Sequence, residues 1–301
     1  MSATAQDTGP LPPAALALRR LRKFSAENWI MLAGIIAMCA GMIAFLVLPL
    51  YALFSKATQN SAGEFVGLEN FRSFVNSPGL MESVGNSLTI AFATMIIACV
   101  LAFIYAYALT RSCIPLKRTF RAIATIPILA PSLLPAIALV YLFGNQGMIN
   151  ELLLGASIYG PIGIMFGMVF YIFPHVTMIM VTALSTTDAR LYEAAQALGT
   201  RPWRIFLTVT LPGAIYGVVS AMVVAFTLTI TAFGVPKVIG GQYNVLATDI
   251  YKSVVGQQNF SMGAVVGLAL LMPAVISFAI DQYVKRKQVA LLSARAVPYH
   301  P

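Results

Sequence analysis

Long stretches without a charged residue are the feature that most constrains this 301-residue chain. There are six of them, and each exceeds the roughly 20 residues that cross a bilayer core as an α-helix. The runs lack the alternation of barrel strands and are far longer than the about 10 residues of such a strand. We therefore predict an all-α integral membrane protein with six transmembrane helices. The runs are Trp29–Phe54, Ser83–Thr110, Ala122–Asn150, Leu152–Thr187, Ile205–Pro236 and Ser253–Ile280.

Composition excludes several classes of protein. Hydrophobic residues make up 59% of the chain and charged residues only 10%, against about 25% charged residues in a soluble domain. So few charges rule out a soluble enzyme and a disordered tail. The net charge of +9 is gathered in short clusters between the apolar runs. This arrangement argues against a nucleic-acid module. We therefore expect that the chain has no nucleic-acid partner and that membrane lipid surrounds it.

The basic residues predict the orientation in the membrane. One side of the predicted topology holds 15 Lys and Arg residues and the other holds 4. Since basic loops stay in the cytoplasm, both termini are predicted to be cytoplasmic, and the loops 55–82 and 237–252 are predicted to lie outside. Three regions follow: a basic N-terminal segment (1–28), the membrane domain (29–284) and a tail or linker (285–301). Residues 13–24 form either a basic amphipathic helix on the inner leaflet or only a topogenic charge cluster.

The third run carries three prolines at four-residue spacing, Pro127, Pro131 and Pro135. Each removes a backbone donor, and a broken helix is tolerated where it faces protein or a water-filled cavity. These prolines are therefore candidates for lining a transport path on one broad helix face, with a passive kink as the alternative. His175 follows Pro174 in the fourth run and is a further candidate. The alternative for His175 is a side chain satisfied by neighbouring helices.

The chain shows none of the motifs that would mark an enzyme or an ion-driven carrier. It has no phosphate-binding loop, no H-E-x-x-H and no G-x-S-x-G. Carriers driven by protons or sodium usually hold carboxylates near mid-membrane. Here Asp281 sits at the end of the sixth run, where we expect it either to cap the helix or to pair with Lys285. Three cysteines have no metal-binding spacing. We expect no metal, no cofactor and no catalytic residue in this chain, so energy for pumping must come from another chain.

The fourth connection, residues 188–212, predicts a helix–turn–helix in the cytoplasm. Asp188 is placed to cap a helix that begins at Ala189, and Gly199 suits the positive φ of a helix end. A second short amphipathic stretch then leads from Trp203 into the fifth run. An exposed apolar face here favours a docked partner, with a helix lying on lipid as the alternative. That face comprises Leu191, Ala194, Ala195 and Leu198.

This connection matches the pattern E-A-A-x3-G-x9-[IV]-x-L-P at seven positions. It resembles the EAA loop of permease subunits of binding-protein-dependent ABC importers, which have the type I (MetI-like) fold, and the resemblance covers about residues 30–285. It implies that the loop couples to a separate ATP-binding subunit that holds ATP and magnesium. It also implies a periplasmic solute-binding protein and a second permease half, identical, separate or fused. The matched residues are Glu193, Ala194, Ala195, Gly199, Val209, Leu211 and Pro212.

Within this family, the chain resembles the subgroup for polyamines, ferric iron, sulfate or molybdate, and aminoalkylphosphonates. The stretches 127–147 and 233–251 are similar to permeases for 2-aminoethylphosphonate, which is the favoured substrate. Polyamine, ferric iron and sulfate or molybdate stay open as alternatives. Two other classes also stay open: a secondary transporter, and a membrane scaffold or channel subunit that does not transport.

Overall fold

A computed structural model describes the backbone of residues 26–291 and the side chains of residues 28–286. The amphipathic stretch predicted over residues 13–24, and most of the predicted N-terminal segment and tail, lie outside these described residues. The chain divides into two compact units, of which the first ends at Phe54 and the second begins at Ser55. In the first unit lies most of helix α1 (Ala26–Ala57), a 32-residue helix with Pro49 in its interior.

The second unit contains three long helices that form its core. They are α3 (Pro78–Arg111), which follows a short α2 (Glu69–Val75), then α6 (Pro161–Ser185) and α9 (Leu211–Ile230). Each of the three packs against the other two. The last helix, α12 (Phe260–Leu291), packs mainly on α9 and continues past the predicted boundary at residue 284.

Small side chains on α3 and α9 face large ones on α6. Ala98, Ala102, Ala221 and Ala225 are fully buried, and so are the large α6 residues Ile164, Met168 and Ile172. Because lipid chains are as apolar as these side chains, such helices associate through close van der Waals packing rather than a hydrophobic driving force. Helices α6 and α9 approach closely at Gly217 of α9, where an added Cβ atom would lie 2.1 Å from Cβ of Ala183. Gly217 therefore lets α6 and α9 touch.

The third run does not form one continuous helix. It contains α4 (Lys117–Thr125), a 3-10 turn (Ile126–Leu129) and α5 (Leu133–Phe143), with a bend of 99° at the break. Ala130 is extended at the break, as expected for a residue that precedes a proline. Among the described residues, five helices are long and apolar enough to cross a membrane, and the bent pair makes a sixth if it counts as one span.

Several predicted runs are longer than the helices inside them. The helix of the fourth predicted run, α6, begins at Pro161 rather than near Leu152. The start of that run instead forms a 3-10 turn (Asn150–Leu153) and a loop. After α9, two short helices, α10 (Gly234–Ile239) and α11 (Leu246–Tyr251), pack back onto the bundle. Their residues are largely buried, including Val235, Ile239 and Asp249. The polar connection 237–252, which we predicted to lie outside the membrane, is thus an ordered part of the fold.

Candidate coupling loop and transport path

The predicted helix in the fourth connection is present as α7 (Ala189–Ala197). Asp188 caps it as expected, because the backbone N–H of Arg190 donates to Asp188 Oδ1 at 3.1 Å. At the other end, Gly199 has φ +67°, the left-handed value that glycine adopts without a Cβ penalty. The predictions of a capped start and of a glycine-ended helix are therefore confirmed.

Two hydrogen bonds close the end of α7. The N–H of Gly199 donates to the carbonyl of Gln196 at 2.9 Å, and that of Thr200 donates to the carbonyl of Ala195 at 3.0 Å. This pair of bonds is the Schellman arrangement, which satisfies carbonyls that a helix otherwise leaves without partners. The turn after the E-A-A sequence thus has a fixed direction set by local chemistry.

A widened turn follows before the long helix α9. The short helix α8 (Pro202–Ile205) passes into a π-helical turn (Phe206–Thr210) and then into α9. Pro212 is the second residue of α9, and a proline ring clashes with the carbonyl four residues before it, here that of Thr208. That carbonyl lies in the widened turn, which gives the ring room. The motif positions Val209, Leu211 and Pro212 therefore shape the entry into α9.

One side of the loop is left uncovered by the described part of the chain. Leu191 is 56% exposed, Leu198 82% and Trp203 70%. Glu193 and Ala194 are also exposed, whereas Ala195 is half-buried. The predicted apolar face of α7 is thus mostly accessible, with one carboxylate among the apolar side chains.

The other side of the loop is anchored by two residues that we did not predict. Tyr192 is buried, and its hydroxyl donates to Thr210 Oγ1 at 2.9 Å. Arg111, at the end of α3, stacks its guanidinium 4.3 Å from the centre of the Tyr192 ring. The same guanidinium donates to the carbonyl of Leu184 at 2.7 Å and also to the hydroxyl of Thr187. These contacts tie α7 to the ends of three helices, α3, α6 and α9.

The three candidate path prolines do not share one helix face, so that part of the prediction is wrong. Pro127 is half-buried in the 3-10 turn, Pro131 is exposed at the break, and Pro135 is buried in α5. The 99° bend separates them, because prolines placed four apart keep a common face only if the helix continues. Their role in lining a path stays a prediction.

His175 lies half-buried in α6, next to the buried Pro174. Its Nδ1 is 3.2 Å from the carbonyl oxygen of Tyr171, one turn earlier in the same helix. The Tyr171 ring also lies against it, with 5.5 Å between ring centres. The partners that the structure gives His175 thus belong to its own helix rather than to the neighbouring helices, and its role in the path also stays a prediction.

Asp281 on α12 is held by two partners. It is 6% exposed, accepts a hydrogen bond from the Ser220 hydroxyl at 2.7 Å and pairs with Lys285 at 2.5 Å. The predicted pairing with Lys285 is therefore confirmed, while the link to Ser220 on α9 is new. Among the described residues, no group of three or more His, Cys, Asp or Glu side chains is arranged to hold a metal ion.

The sequence matches the family described as "binding-protein-dependent transport system inner membrane component" over residues 101–289. The chain belongs to this family. The matched residues run from α3 through α12 and include the whole of the loop 188–212. The chain is therefore a membrane-spanning permease subunit of an ABC importer, as its resemblance to the EAA-loop permeases implied.

Several similar proteins carry names of transport systems. A sulfate transport system permease protein cysT of Nephroselmis olivacea is 26% identical over 77% of this chain and 81% of its own length. Molybdenum transport system permease protein ModB of Mycobacterium tuberculosis is 26% identical over 84% and 92%. The 2-aminoethylphosphonate transport system permease protein named PhnU of Salmonella typhi is 24% identical over 73% and 79%. All three are named as permeases and none as an enzyme.

Solved structures agree on the fold. A bacterial ABC transporter for import of alginate contains a chain with a TM-score of 0.69 and 16% identity, covering 91% of this chain and all of that one. The methionine ABC transporter MetNI contains one with a TM-score of 0.57 and 21% identity, covering 70% and 98%. At these identities the similarity concerns the fold alone, and the predicted type I (MetI-like) fold is confirmed.

Proposed function

We propose that this permease imports a small tetrahedral oxyanion delivered by a periplasmic solute-binding protein, with 2-aminoethylphosphonate as the favoured substrate. A separate ATP-binding subunit would hold ATP and magnesium and supply the energy. The observation that carries the transport mechanism is the loop 188–212, which is anchored on one side and uncovered on the other. An importer needs such an element, because force from a partner has to enter the membrane domain at one rigid point.

We place the contact with the ATP-binding subunit on the uncovered side of α7. Glu193 offers a carboxylate for a basic group of the partner, and Gly199 leaves the turn free of a side chain. The motif residues Ala194 and Ala195 keep the helix slim, so that a partner surface can approach its backbone closely. On the opposite side, Tyr192 passes the displacement of α7 to α9 through Thr210.

We further propose that the protein lies in the bacterial inner membrane with both termini in the cytoplasm. The uneven distribution of 15 and 4 basic residues supports this orientation. A second permease half, identical, separate or fused, would complete the path. Pro127, Pro131, Pro135 and His175 are the residues that we propose to line it.

The choice of substrate rests on two stretches of the sequence and on one named relative. Residues 127–147 and 233–251 resemble 2-aminoethylphosphonate permeases, and the PhnU protein is 24% identical to this chain. Sulfate or molybdate is the second candidate, because the cysT and ModB proteins are each 26% identical. Phosphonate, sulfate and molybdate are all tetrahedral oxyanions, whereas the polyamine and ferric-iron alternatives are cationic.

Growth of a strain that lacks this gene tests the substrate. With 2-aminoethylphosphonate as the sole phosphorus source, the deletion should abolish growth, and a plasmid copy should restore it. Growth on inorganic phosphate is the control and should be unaffected. Normal growth on the phosphonate in a strain without another importer for it would refute this substrate, and a defect confined to sulfate as sole sulfur source would favour the second candidate.

A further inference from the structure

A shallow groove lies between α4 and α6, beside the end of α3. Its polar lining comes from Arg121 and Thr125 of α4 and from Thr177 and Thr182 of α6. Its apolar lining includes Leu109 and Val181. The groove is outside the coupling loop and contains none of the candidate path residues, so its chemistry is not explained by the function proposed above.

Arg121 brings a positive charge that the described part of the chain does not neutralise. The ion pairs among residues 28–286 join Lys252 to Asp249 and Lys285 to Asp281, and neither involves Arg121. Its side chain is exposed. A guanidinium offers five donors in a flat fork, which fits two oxygens of a phosphate at once. The groove therefore has the charge and geometry to attract a phosphate group.

Thr177 adds an unsatisfied hydroxyl deeper in the same groove. It is only 2% exposed, and its Oγ1 has no hydrogen-bond partner among residues 28–286. The other two threonines differ, because Thr125 donates to the carbonyl of Ala122 at 3.0 Å and Thr182 to that of Met178 at 2.9 Å. A buried hydroxyl without a partner costs free energy, which a ligand atom at this point would recover.

The position of the groove along the membrane normal fits a lipid headgroup. Arg121 is the last charged residue before the charge-free run that begins at Ala122. Thr177 lies eight residues before Ser185, where α6 ends. At 1.5 Å per residue, Thr177 is therefore about 12 Å from that end, toward the middle of the helix. The groove thus extends from the basic residue Arg121 of α4 to a point within the apolar part of the bundle.

Neighbouring side chains on both helices are suited to a bilayer. Phe120 and Ile123 of α4 are 41% and 56% exposed, and Met178 of α6 is 51% exposed. With Lys117 and Arg118 on the same short helix, α4 has the combination of basic and apolar side chains that is typical of helices at an anionic membrane surface. An acidic protein loop would match Arg121 but not these exposed apolar residues.

We propose that this groove is a binding site for an anionic phospholipid of the cytoplasmic leaflet. The Arg121 guanidinium donates to oxygens of the phosphate, and the Thr177 hydroxyl donates to an oxygen of the glycerol ester. One acyl chain lies along Leu109 and Val181. The choice of leaflet rests on the orientation given under the proposed function, whereas the lipid chemistry rests on the groove alone.

Native mass spectrometry of the full-length permease, purified with its partner subunits, tests this site. Titration with phosphatidylglycerol should give a tightly bound lipid that phosphatidylcholine does not replace. Arg121→Gln should weaken phosphatidylglycerol binding about fivefold, the loss expected for one basic residue at an anionic membrane surface. Thr177→Val keeps the side-chain shape and should weaken it about threefold, the loss of one hydrogen bond.

Arg118→Gln is the matched control. It removes the same charge from the same helix, but Arg118 does not line the groove. Phosphatidylglycerol binding should therefore fall clearly less in this variant than in Arg121→Gln. An equal loss in Arg118→Gln and Arg121→Gln would show general attraction to the basic helix and would overturn the proposal. Equal affinity for the two lipids would also overturn it.

A titration with inorganic phosphate separates a lipid from a free anion. Millimolar phosphate should leave the bound phosphatidylglycerol in place, because it lacks the acyl chains that fill the apolar part of the groove. Displacement by phosphate alone would mean a site for a soluble anion and would overturn the lipid assignment. Lipid binding is measured here without transport, so its outcome is independent of the growth experiment that tests the proposed substrate.

Discussion

The guanidinium of Arg111 lies 4.3 Å from the centre of the Tyr192 ring, and this contact joins the end of α3 to the middle of α7, the proposed coupling helix. The two residues are far apart in the sequence, at the end of α3 and in α7. A cation over an aromatic ring is worth about 0.5–1 kcal/mol when exposed and more when desolvated. Tyr192 is buried, so this contact holds α7 at a fixed position against the membrane domain.

Tyr192→Phe should lower uptake while leaving the amount of protein in the membrane unchanged. The change keeps the ring under Arg111 but removes the hydrogen bond to Thr210, which is worth about 1 kcal/mol. We expect transport to fall several-fold and ATP hydrolysis to become less dependent on substrate. Uptake and ATPase assays on the reconstituted importer measure both. Tyr216→Phe is the control, since it removes a hydroxyl for which the described residues provide no hydrogen bond, and an equal loss of uptake in this control would contradict the role of Tyr192.

Gly199→Asp should reduce both transport and binding of the ATP-binding subunit. No atom lies within 4 Å of the position that a Cβ of residue 199 would occupy, so the side chain itself meets no obstacle inside the chain. The left-handed backbone costs about 1 kcal/mol, less for Asn or Asp than for other residues. The damage should therefore arise at the contact with the partner. Co-purification of the ATP-binding subunit measures it.

Glu193→Lys should have the same effect, because it reverses the charge presented to the partner. Gly199→Ala is a useful comparison, since it adds the backbone cost with hardly any bulk. If Gly199→Ala fails to accumulate and Gly199→Asp does too, then residue 199 serves only the folding of the loop. Normal uptake in a well-expressed Gly199→Asp variant would speak against a docking surface there.

Gly217→Ala should destabilise the membrane domain. The added Cβ would lie 2.1 Å from Cβ of Ala183, so α6 and α9 have to separate, at a cost of about 1–3 kcal/mol. Thermal unfolding of the purified protein in detergent should show a lower midpoint. Adding Ala183→Gly should restore much of the loss, and Gly85→Ala in α3, where a Cβ meets nothing within 4 Å, should have little effect. No rescue by Ala183→Gly would mean that the close contact is not the cause.

Ser220→Ala should also lower thermal stability, because it removes the hydrogen bond to the buried Asp281 carboxylate. A hydrogen bond to a charged group contributes about 1.5–3 kcal/mol, so we expect the unfolding midpoint to fall by several degrees. Ser185→Ala is the matched control, because the Ser185 hydroxyl donates to Val181 in its own helix. Equal midpoints for the two variants would remove the stabilising role assigned to the Ser220–Asp281 bond.

Cysteine labelling tests the predicted orientation. In a variant without native cysteines, Ser61→Cys and Gln242→Cys should react with a membrane-impermeant reagent in intact cells, because both sites are exposed and lie in loops predicted to be outside. Restoring Cys113 alone provides the opposite control. This exposed residue lies in a predicted cytoplasmic connection and should react only after lysis. The reverse pattern at all three sites would invert the topology.

The sequence predicted those features that depend on local chemistry. A charge-free run reports the apolar surroundings of its residues, so the long apolar helices could be located without knowledge of packing. Asp188 and Gly199 were recognisable because a helix cap depends on neighbours within a few residues. The close approach at Gly217, by contrast, involves Ala183 of α6, and the approach at Gly213 involves Thr187, just beyond the end of α6.

Features that depend on distant parts of the chain were missed. Three prolines predict missing hydrogen bonds but not the direction of the chain after the break, so the 99° bend was not foreseen. Arg111 contributed only a positive charge to the topology argument, and nothing near it in the sequence points to Tyr192. The start of α6 at Pro161 was also missed, since apolar residues of the preceding loop extend the run.

The contact between Gly217 and Ala183 has a mechanical consequence for the loop that joins their helices. Residues 188–212 leave α6 and enter α9, and these two helices touch without room for a single additional methyl group. Sliding or twisting of one against the other would open a gap or produce a clash, so we expect them to move as one stiff lever. A force applied at α7 would then rotate both helices together. A small displacement at the ends of α6 and α9 that the loop joins would become a larger displacement at their opposite ends.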